Sequence, residues 1–314
     1  VFMKILVTGS GGLVGSPLIQ KLKGDIYMPS SSEVNLINDS QVADYFHENK
    51  FDYVIHLAAY VGSLHDNIEN RVAYFDNNIL MNTLVTKYAH SSGVKNFLGI
   101  LSTCVYPDNC STFPIPESDL HNGAPHKDLM SYAYAKRSHA VQLDAYKETF
   151  GVNYNYLIPC NIYGVGNPKH KDRSHFLNDL IFKIIYAKKK SKDSIELFGD
   201  GTPLRQFMLA DDFSSIISQY IEYDLKNSFN VAPSWNLSID EIAKVALKAC
   251  GLDDIGIVYN ASKPNGQHRK DVDINIMNNL MNSFSFTDLD VGIKRIYDHY
   301  YKDKGSYIQT NAHL

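Results

Sequence analysis

Short apolar runs rich in Val, Ile and Leu recur along the first 160 residues, and stretches of helical apolar spacing separate them. The pattern predicts strands over residues 4–8, 25–28, 53–57, 97–103 and 153–159, and helices over residues 13–22, 40–48, 74–91 and 131–150. Strands alternating with helices predict an α/β fold, a doubly wound parallel sheet covered on both faces. After Gly164 the texture changes. A polar stretch over residues 166–173 reads as a loop, followed by a helix over 176–190 and a turn-rich piece over 199–203. Then come a strand over 205–210, a helix over 212–223, a strand over 228–231, and a helix that Ser238 caps. Two lobes are expected, residues 3–165 and a smaller one over 166–314, with the segment around 205–223 returning to the first.

Composition narrows the class. With 314 residues, 44% apolar positions, 21 Tyr and 15 Phe, the chain has ample material for a core, which excludes a disordered or fibrous protein. A net charge of −4 from 30 basic and 34 acidic residues argues against a broad nucleic-acid or anionic-membrane surface. The four cysteines form no C-x-x-C pair and are expected as reduced thiols. No apolar run reaches the roughly 18 residues of a membrane helix. The chain enters a strand at Lys4 without a leader pattern, so a cytoplasmic setting is expected. His170 and His175 lack partners at metal-ligand spacing, and no metal is expected.

Three features carry chemistry. Thr8-Gly9-Ser10-Gly11-Gly12-Leu13-Val14-Gly15 joins the first strand to the first helix, with glycines in G-x-x-G-x-x-G spacing. Such a turn frees backbone N–H groups to hold a pyrophosphate, so this lobe reads as a Rossmann-type dinucleotide-binding domain. After the second strand, Ser30, Ser31 and Ser32 stand where an acidic residue would favour NAD and a basic one NADP, and they decide for neither. Tyr132 and Lys136, four apart, share one helix face. A neighbouring ammonium lowers a phenol's pKa towards neutrality, which suits proton exchange with a carbonyl oxygen. Ser102 adds a hydroxyl at the carboxyl edge of the sheet, where open α/β folds bind ligands.

Taken together, these segments resemble the extended short-chain dehydrogenase/reductase family. The resemblance extends through His56-Leu57-Ala58-Ala59, Val61-Gly62, Leu101-Ser102-Thr103-Cys104-Val105-Tyr106-Pro107 and His121-Asn122-Gly123. It continues in Tyr132-Ala133-Tyr134-Ala135-Lys136, Pro159-Cys160-Asn161-Ile162-Tyr163-Gly164, Arg205-Gln206-Phe207 and Lys263-Pro264-Asn265-Gly266. Ser-Thr-Cys-x-Tyr-Pro is the most specific of these, and it is similar to the branch that epimerises and reduces GDP-linked 4-keto-6-deoxymannose.

That resemblance implies 3,5-epimerisation followed by 4-reduction to GDP-L-fucose, with NADP as cofactor and NAD as the other option. Cys104 and His175 would serve as base and acid at C3 and C5, whose protons the C4 ketone acidifies through an enolate. Tyr132 would protonate the C4 oxygen, Ser102 would hold it, and Lys136 would bind the nicotinamide ribose. The cofactor would lie against Gly9, Gly12, Leu13, Val14, Gly15, Ser31, Leu57, Ala58, Ala59, Pro159, Asn161 and Ile162, beside Tyr132 and Lys136. Asn161, His175, Lys183, Arg205 and Lys263 would bind the nucleotide-sugar, and a homodimer is implied.

Two positions depart from the family. Val165-Gly166-Asn167-Pro168-Lys169 replaces its usual Pro-His-Asp-Asn-Phe, which opens the alternative of another GDP-linked 4-keto sugar such as a heptose. Gly11 and the serines after the second strand stand where bacterial relatives often carry arginines, which weakens the NADP preference. A non-catalytic dinucleotide-binding redox sensor is the alternative from another class; it would have no need of Ser102, Tyr132 and Lys136.

Overall fold

The structure, a computed structural model, describes residues 2–166, 176–263, 265–282 and 284–302. The first half runs β1 (Lys4–Thr8), α1 (Gly15–Ile19), β2 (Asp25–Tyr27), α2 (Asp39–Glu48), β3 (Tyr53–His56), α3 (Leu64–Glu69), α4 (Arg71–Ser91), β4 (Asn96–Ile100), α5 (Met130–Phe150) and β5 (Asn153–Pro159). There follow β6 (Asn161–Tyr163), α6 (Phe176–Lys189), β7 (Ser194–Phe198), β8 (Leu204–Arg205), β9 (Phe207–Leu209), α7 (Ala210–Glu222) and β10 (Phe229–Val231). The chain closes with β11 (Leu237–Ser238), α8 (Ile239–Ala249), β12 (Gly256–Asn260), α9 (Asn275–Leu280) and α10 (Leu289–Lys302).

Among the described residues, six strands form a parallel sheet in the order β10-β5-β4-β3-β1-β2. The residues of β3, Tyr-Val-Ile-His, are all buried, as a strand covered on both faces requires. From β1 the chain moves outward to β2 and then returns to the other side of β1 as β3, so the strand order reverses between β1 and β3. Thr8 and His56 are register partners at the carboxyl ends of these two strands, where open α/β sheets bind ligands. α5 stops at Gly151, whose φ of +66° supplies the left-handed C-terminal turn.

One apolar core includes Ile5, Val54, Phe97, Leu157, Phe213 and Phe229, each fully buried. Burying such a side chain contributes roughly 1.5–3 kcal/mol. A second core gathers Leu180, Ile184, Leu209, Ile242, Ala246 and Ile293 from α6, β9, α8 and α10.

The expected strand over 97–103 ends at Ile100, because Ser102 turns the chain by accepting a hydrogen bond from the Cys104 N–H at 3.3 Å. The expected strand over 205–210 is split into β8 and β9 at Gln206, whose side chain bonds Pro233 and Val272. The first helix begins only at Gly15, since the glycine turn occupies the preceding residues. α3, β6, β7, β11, β12, α9 and α10 match no range that the pattern predicts. In β7 the burial alternates exposed and buried along Ser-Ile-Glu-Leu-Phe, a period-two signal present in the sequence. Its parallel partner β12 lies some sixty residues further on (Ser194↔Gly256).

Candidate active site

The glycine turn is shaped by close backbone approach. Gly9 has φ +71°, and a Cβ there would lie 2.7 Å from the Ala58 backbone nitrogen. A Cβ on Gly15 would meet the Gly9 carbonyl oxygen at 2.4 Å, whereas one on Gly11 meets nothing within 4 Å. The turn is closed by the Gly12 N–H donating to Gly9 O at 3.0 Å, and Ser16 N–H donates to Gly12 O at 3.1 Å. This leaves a backbone cradle against Leu57, Ala58 and Ala59, which are half-buried, and it fits a pyrophosphate. The remaining expected cofactor residues tie this cradle to the second half of the chain. The Val14 carbonyl accepts from Ser214 Oγ at 3.0 Å, and Leu13 lies against Gly164.

A buried polar chain stands behind the cradle. His56 Nδ1 meets Thr8 Oγ1 at 2.7 Å, its Nε2 meets Asn82 Oδ1 at 3.1 Å, and the Ala58 N–H donates to Thr8 Oγ1 at 3.3 Å. Burial, reinforced by the charge of Lys136, pushes the His56 imidazole down to about 3, so it is neutral at pH 7. Its part is to hold the Leu57–Ala58 backbone in place.

At the exit of β2, Ser31 is exposed. Glu33, the acidic residue that follows the serines, turns back on the loop. Its carboxylate accepts from the Ser30 N–H at 2.8 Å and the Ser30 hydroxyl at 2.7 Å, and these bonds hold its pKa below the ordinary value.

The groups expected to react converge at the carboxyl edge of β4. Ser102 leaves the strand in an extended conformation, and Thr103–Val105 forms one 3-10 turn that presents the half-buried Cys104. α5 brings Tyr132 and Lys136 to the same edge. Lys136 is 2% exposed and its ammonium donates to the Ile100 carbonyl at 2.8 Å, the last residue of β4. Burial lowers the Lys136 pKa to about 8. The i, i+4 spacing predicts that this ammonium depresses the Tyr132 phenol; burial acts in the reverse direction. Burial pushes the phenol well above its ordinary range, with Cys104 and Tyr74 adding to the effect. Removal from water outweighs an ammonium already engaged with a carbonyl. Tyr74 stands edge-on to the Tyr132 ring at 6.4 Å.

Three residues that sequence reasoning missed fasten the Cys104 turn. Arg137, one position after Lys136, donates from Nε to the Val105 carbonyl at 3.0 Å and from a terminal nitrogen to Gly123 O at 2.8 Å. Tyr106 donates to Asn230 Oδ1 at 2.6 Å. Asn230, wholly buried on β10, also ties in two further segments: its Nδ2 donates to the carbonyls of Ile115 and Asp273 at 3.2 and 3.0 Å. Position within a Tyr-Pro motif marks Tyr106 in the sequence, but no local pattern marks Asn230.

The fourth missed residue is Lys270, whose Nζ lies 3.9 Å from Cys104 Sγ. Arg205 shares this neighbourhood. Its guanidinium donates to its neighbour's carbonyl, Leu204 O, at 2.8 Å, and burial pushes it down to about 10 while Cys104 acts the other way. Asn161 donates to Gln206 O at 2.9 Å, and Cys160 beside it is a buried thiol whose pKa burial raises. Pro159 ends β5, and Ile162 lies on β6, paired with Met208 of β9.

The expected diphosphate cations fall into two groups. Lys183 pairs with Asp179 at 3.2 Å and lies 5.1 Å from the Phe198 ring centroid, and Lys263 approaches the same exposed ring at 5.7 Å. Arg205 joins Cys104 and Lys270 instead. Gly266, three positions beyond Lys263, approaches the second group: a Cβ there would lie 3.5 Å from an Arg205 terminal nitrogen. His175, the expected acid, lies outside the described residues.

Glycines with no room for a side chain, at the crevice where the sheet reverses its order, meet the backbone demands of dinucleotide binding. The class is a Rossmann-type, NAD(P)-dependent enzyme. Residues 5–232 match the NAD dependent epimerase/dehydratase family, and the chain belongs to that family. It is 33% identical over 309 residues to a probable GDP-L-fucose synthase of Drosophila melanogaster, covering 92% of this chain and 94% of the relative. It is 32% identical over 314 residues to a GDP-L-colitose synthase of Yersinia pseudotuberculosis, covering 97% and 100%. Among solved structures, a GDP-L-fucose synthetase from Naegleria fowleri bound to NADP superposes with a TM-score of 0.84 at 27% identity, covering 96% of this chain and 94% of that one. Among the described residues, no helix is long and apolar enough to cross a membrane.

Proposed function

We propose that this enzyme epimerises GDP-4-keto-6-deoxymannose at C3 and C5 and reduces it at C4 to GDP-L-fucose, with NADP(H) as cofactor. The observation that carries the reading is the meeting of a thiol, Cys104, with the hydroxyl-bearing edge formed by Ser102 and Tyr132. A simple carbonyl reductase needs no thiol there, whereas an epimerase needs a group that removes and returns a proton.

C3 and C5 both flank the C4 carbonyl, so loss of a proton from either leaves an enolate. Cys104 accepts that proton as a thiolate, and His175 is assigned the return of a proton to the opposite face. Ser102 holds the C4 oxygen throughout. When bound, the nicotinamide supplies hydride to C4. Tyr132 then gives its phenolic proton to the C4 oxygen, converting ketone to alcohol. A phenol held neutral by burial is the form required for that donation. Lys136, on the same helix face, orients the nicotinamide ribose, and the glycine turn holds the pyrophosphate. Lys183, Lys263 and Arg205 line the nucleotide-sugar side.

The identity to a GDP-L-colitose synthase over 97% of the chain favours, as a second reading, another GDP-linked 4-keto sugar in the same site. We also infer a homodimer. α4 and α5 leave Val72, Phe75, Leu80, Tyr134 and Val141 exposed along neighbouring stripes, a face that fits pairing with a second copy as a four-helix bundle. The four free thiols fit a reducing, cytoplasmic compartment.

Incubation with GDP-4-keto-6-deoxymannose should consume NADPH, and Tyr132→Phe should lower that rate by about 10²–10⁴-fold while cofactor binding is retained. NADPH binding without turnover of any GDP-4-keto sugar would remove the catalytic reading. Incubation in D2O without cofactor should place deuterium at C3 and C5, and Cys104→Ser should abolish it. Exchange that persists in Cys104→Ser would take Cys104 out of the base role.

A further inference from the structure

We propose that Lys270 is a positioning residue for Cys104, its ammonium serving as counter-ion to the thiolate that removes the sugar proton. The catalytic consequence rests on the reading of Cys104 as base; the pairing itself is a matter of geometry.

Lys270 Nζ lies 3.9 Å from Cys104 Sγ, within reach of a hydrogen bond to sulfur. The contact is held from both sides. On the thiol side, Cys104 N–H is bonded to Ser102 Oγ, Arg137 grips Val105 O, and Tyr106 is bonded to Asn230. On the ammonium side, the Val272 N–H donates to Gln206 Oε1 at 3.0 Å and the Ile115 N–H donates to Asp271 O at 2.8 Å. Asn230 belongs to both sides, since it accepts from Tyr106 and donates to Asp273 O. One buried amide therefore sets the spacing between the segment that carries the thiol and the segment that carries the ammonium.

Charge balance points the same way. Among the described residues, neither Lys270 nor Arg205 forms an ion pair with a carboxylate, and both are half-buried. A half-buried cation without a carboxylate partner is favoured by a nearby anion. Burial lowers the Lys270 pKa; of the groups facing it, the thiols of Cys104 and Cys160 favour its charge and Arg205 opposes it. Cys104 also faces the Tyr132 phenol from α5. Of the two thiols, Cys160 is buried and its burial keeps it protonated, whereas Cys104 is half-buried and within reach of the Lys270 ammonium. Ammonium groups beside a cysteine stabilise its nucleophilic, proton-accepting form.

The test uses the whole enzyme without substrate. Iodoacetamide labelling at pH 7 is followed at Cys104 by peptide mass spectrometry, with Cys110, a partly buried thiol bonded to the Pro107 carbonyl, as internal reference. Lys270→Gln should slow labelling of Cys104 at least about tenfold and leave Cys110 unchanged, while Lys270→Arg should restore most of the rate. The ultraviolet absorbance of the thiolate, taken as native minus Cys104→Ser, should vanish in Lys270→Gln and persist in Lys270→Arg. NADPH titration of each variant verifies the fold. Equal labelling in native enzyme, Lys270→Gln and Lys270→Arg would overturn the proposal. Because no substrate is present, this outcome is separate from the deuterium test, which decides whether Cys104 is the base.

Discussion

The hydroxyl of Tyr106 donates to Asn230 Oδ1 at 2.6 Å and so joins the turn that carries Cys104 to an edge strand of the sheet, β10. The two residues are 124 positions apart, and both are buried. A side chain two residues from the thiol is thereby fixed to a rigid element rather than to a loop, which is how a reacting group keeps its place.

Removing this bond should weaken both fold and chemistry. Tyr106→Phe leaves the Asn230 carbonyl oxygen without its donor, at a cost of about 1–3 kcal/mol in chemical denaturation. Deuterium exchange at C3 and C5 should fall more than NADPH binding does, because the cofactor cradle lies on other residues.

Two neighbouring glycines should behave differently. Gly9→Ala places a Cβ 2.7 Å from the Ala58 nitrogen at a φ of +71°, so about 2 kcal/mol of stability and NADPH affinity should be lost together. Gly11→Ala meets nothing and should leave the denaturation midpoint unchanged. Equal effects in the two variants would contradict the steric account.

Lys136 should make stability rise with pH in alkali. Its folded pKa of about 8 lies below the ordinary value near 10.4. Between those values the unfolded chain binds a proton that the folded chain has released, so folding gains as pH rises. Relative to Lys136→Met, the native enzyme should gain about 2–3 kcal/mol in urea denaturation between pH 7.5 and 10. A flat difference would mean that Lys136 is not charged at a cost in the folded state. The same variant should lose NADPH oxidation.

The helix face should govern assembly. Combined Val72→Glu and Val141→Glu substitutions place charges on exposed apolar stripes of α4 and α5, and light scattering should report half the native mass. A native enzyme that is monomeric at micromolar concentration would remove the homodimer inference.

Much of the nucleotide side was legible in the chain. β1 and β5 occupy the expected residues, since apolar runs of that length bounded by turn residues leave little choice. Tyr132 and Lys136 share a helix face because any i, i+4 pair does. The substrate side was less legible. Lys183 and Lys263 meet at Phe198, while Arg205 goes to Cys104, and spacing along the chain does not distinguish the two destinations. Lys270, in a run of charged residues, has no local mark that separates it from Arg269, which pairs with Asp271.

The sequence by itself determined the local geometry: the glycine turn after β1, the periodicity of strands and helices, and the hydroxyl and phenol at the edge of the sheet. These follow from backbone sterics and repeat within a few residues. Only the tertiary structure decided which charges meet. Lys136 answers to Ile100 rather than to Tyr132, and Lys270 reaches Cys104 across 166 positions. Both outcomes depend on how much water burial removes and on where the chain returns, and neither quantity is local.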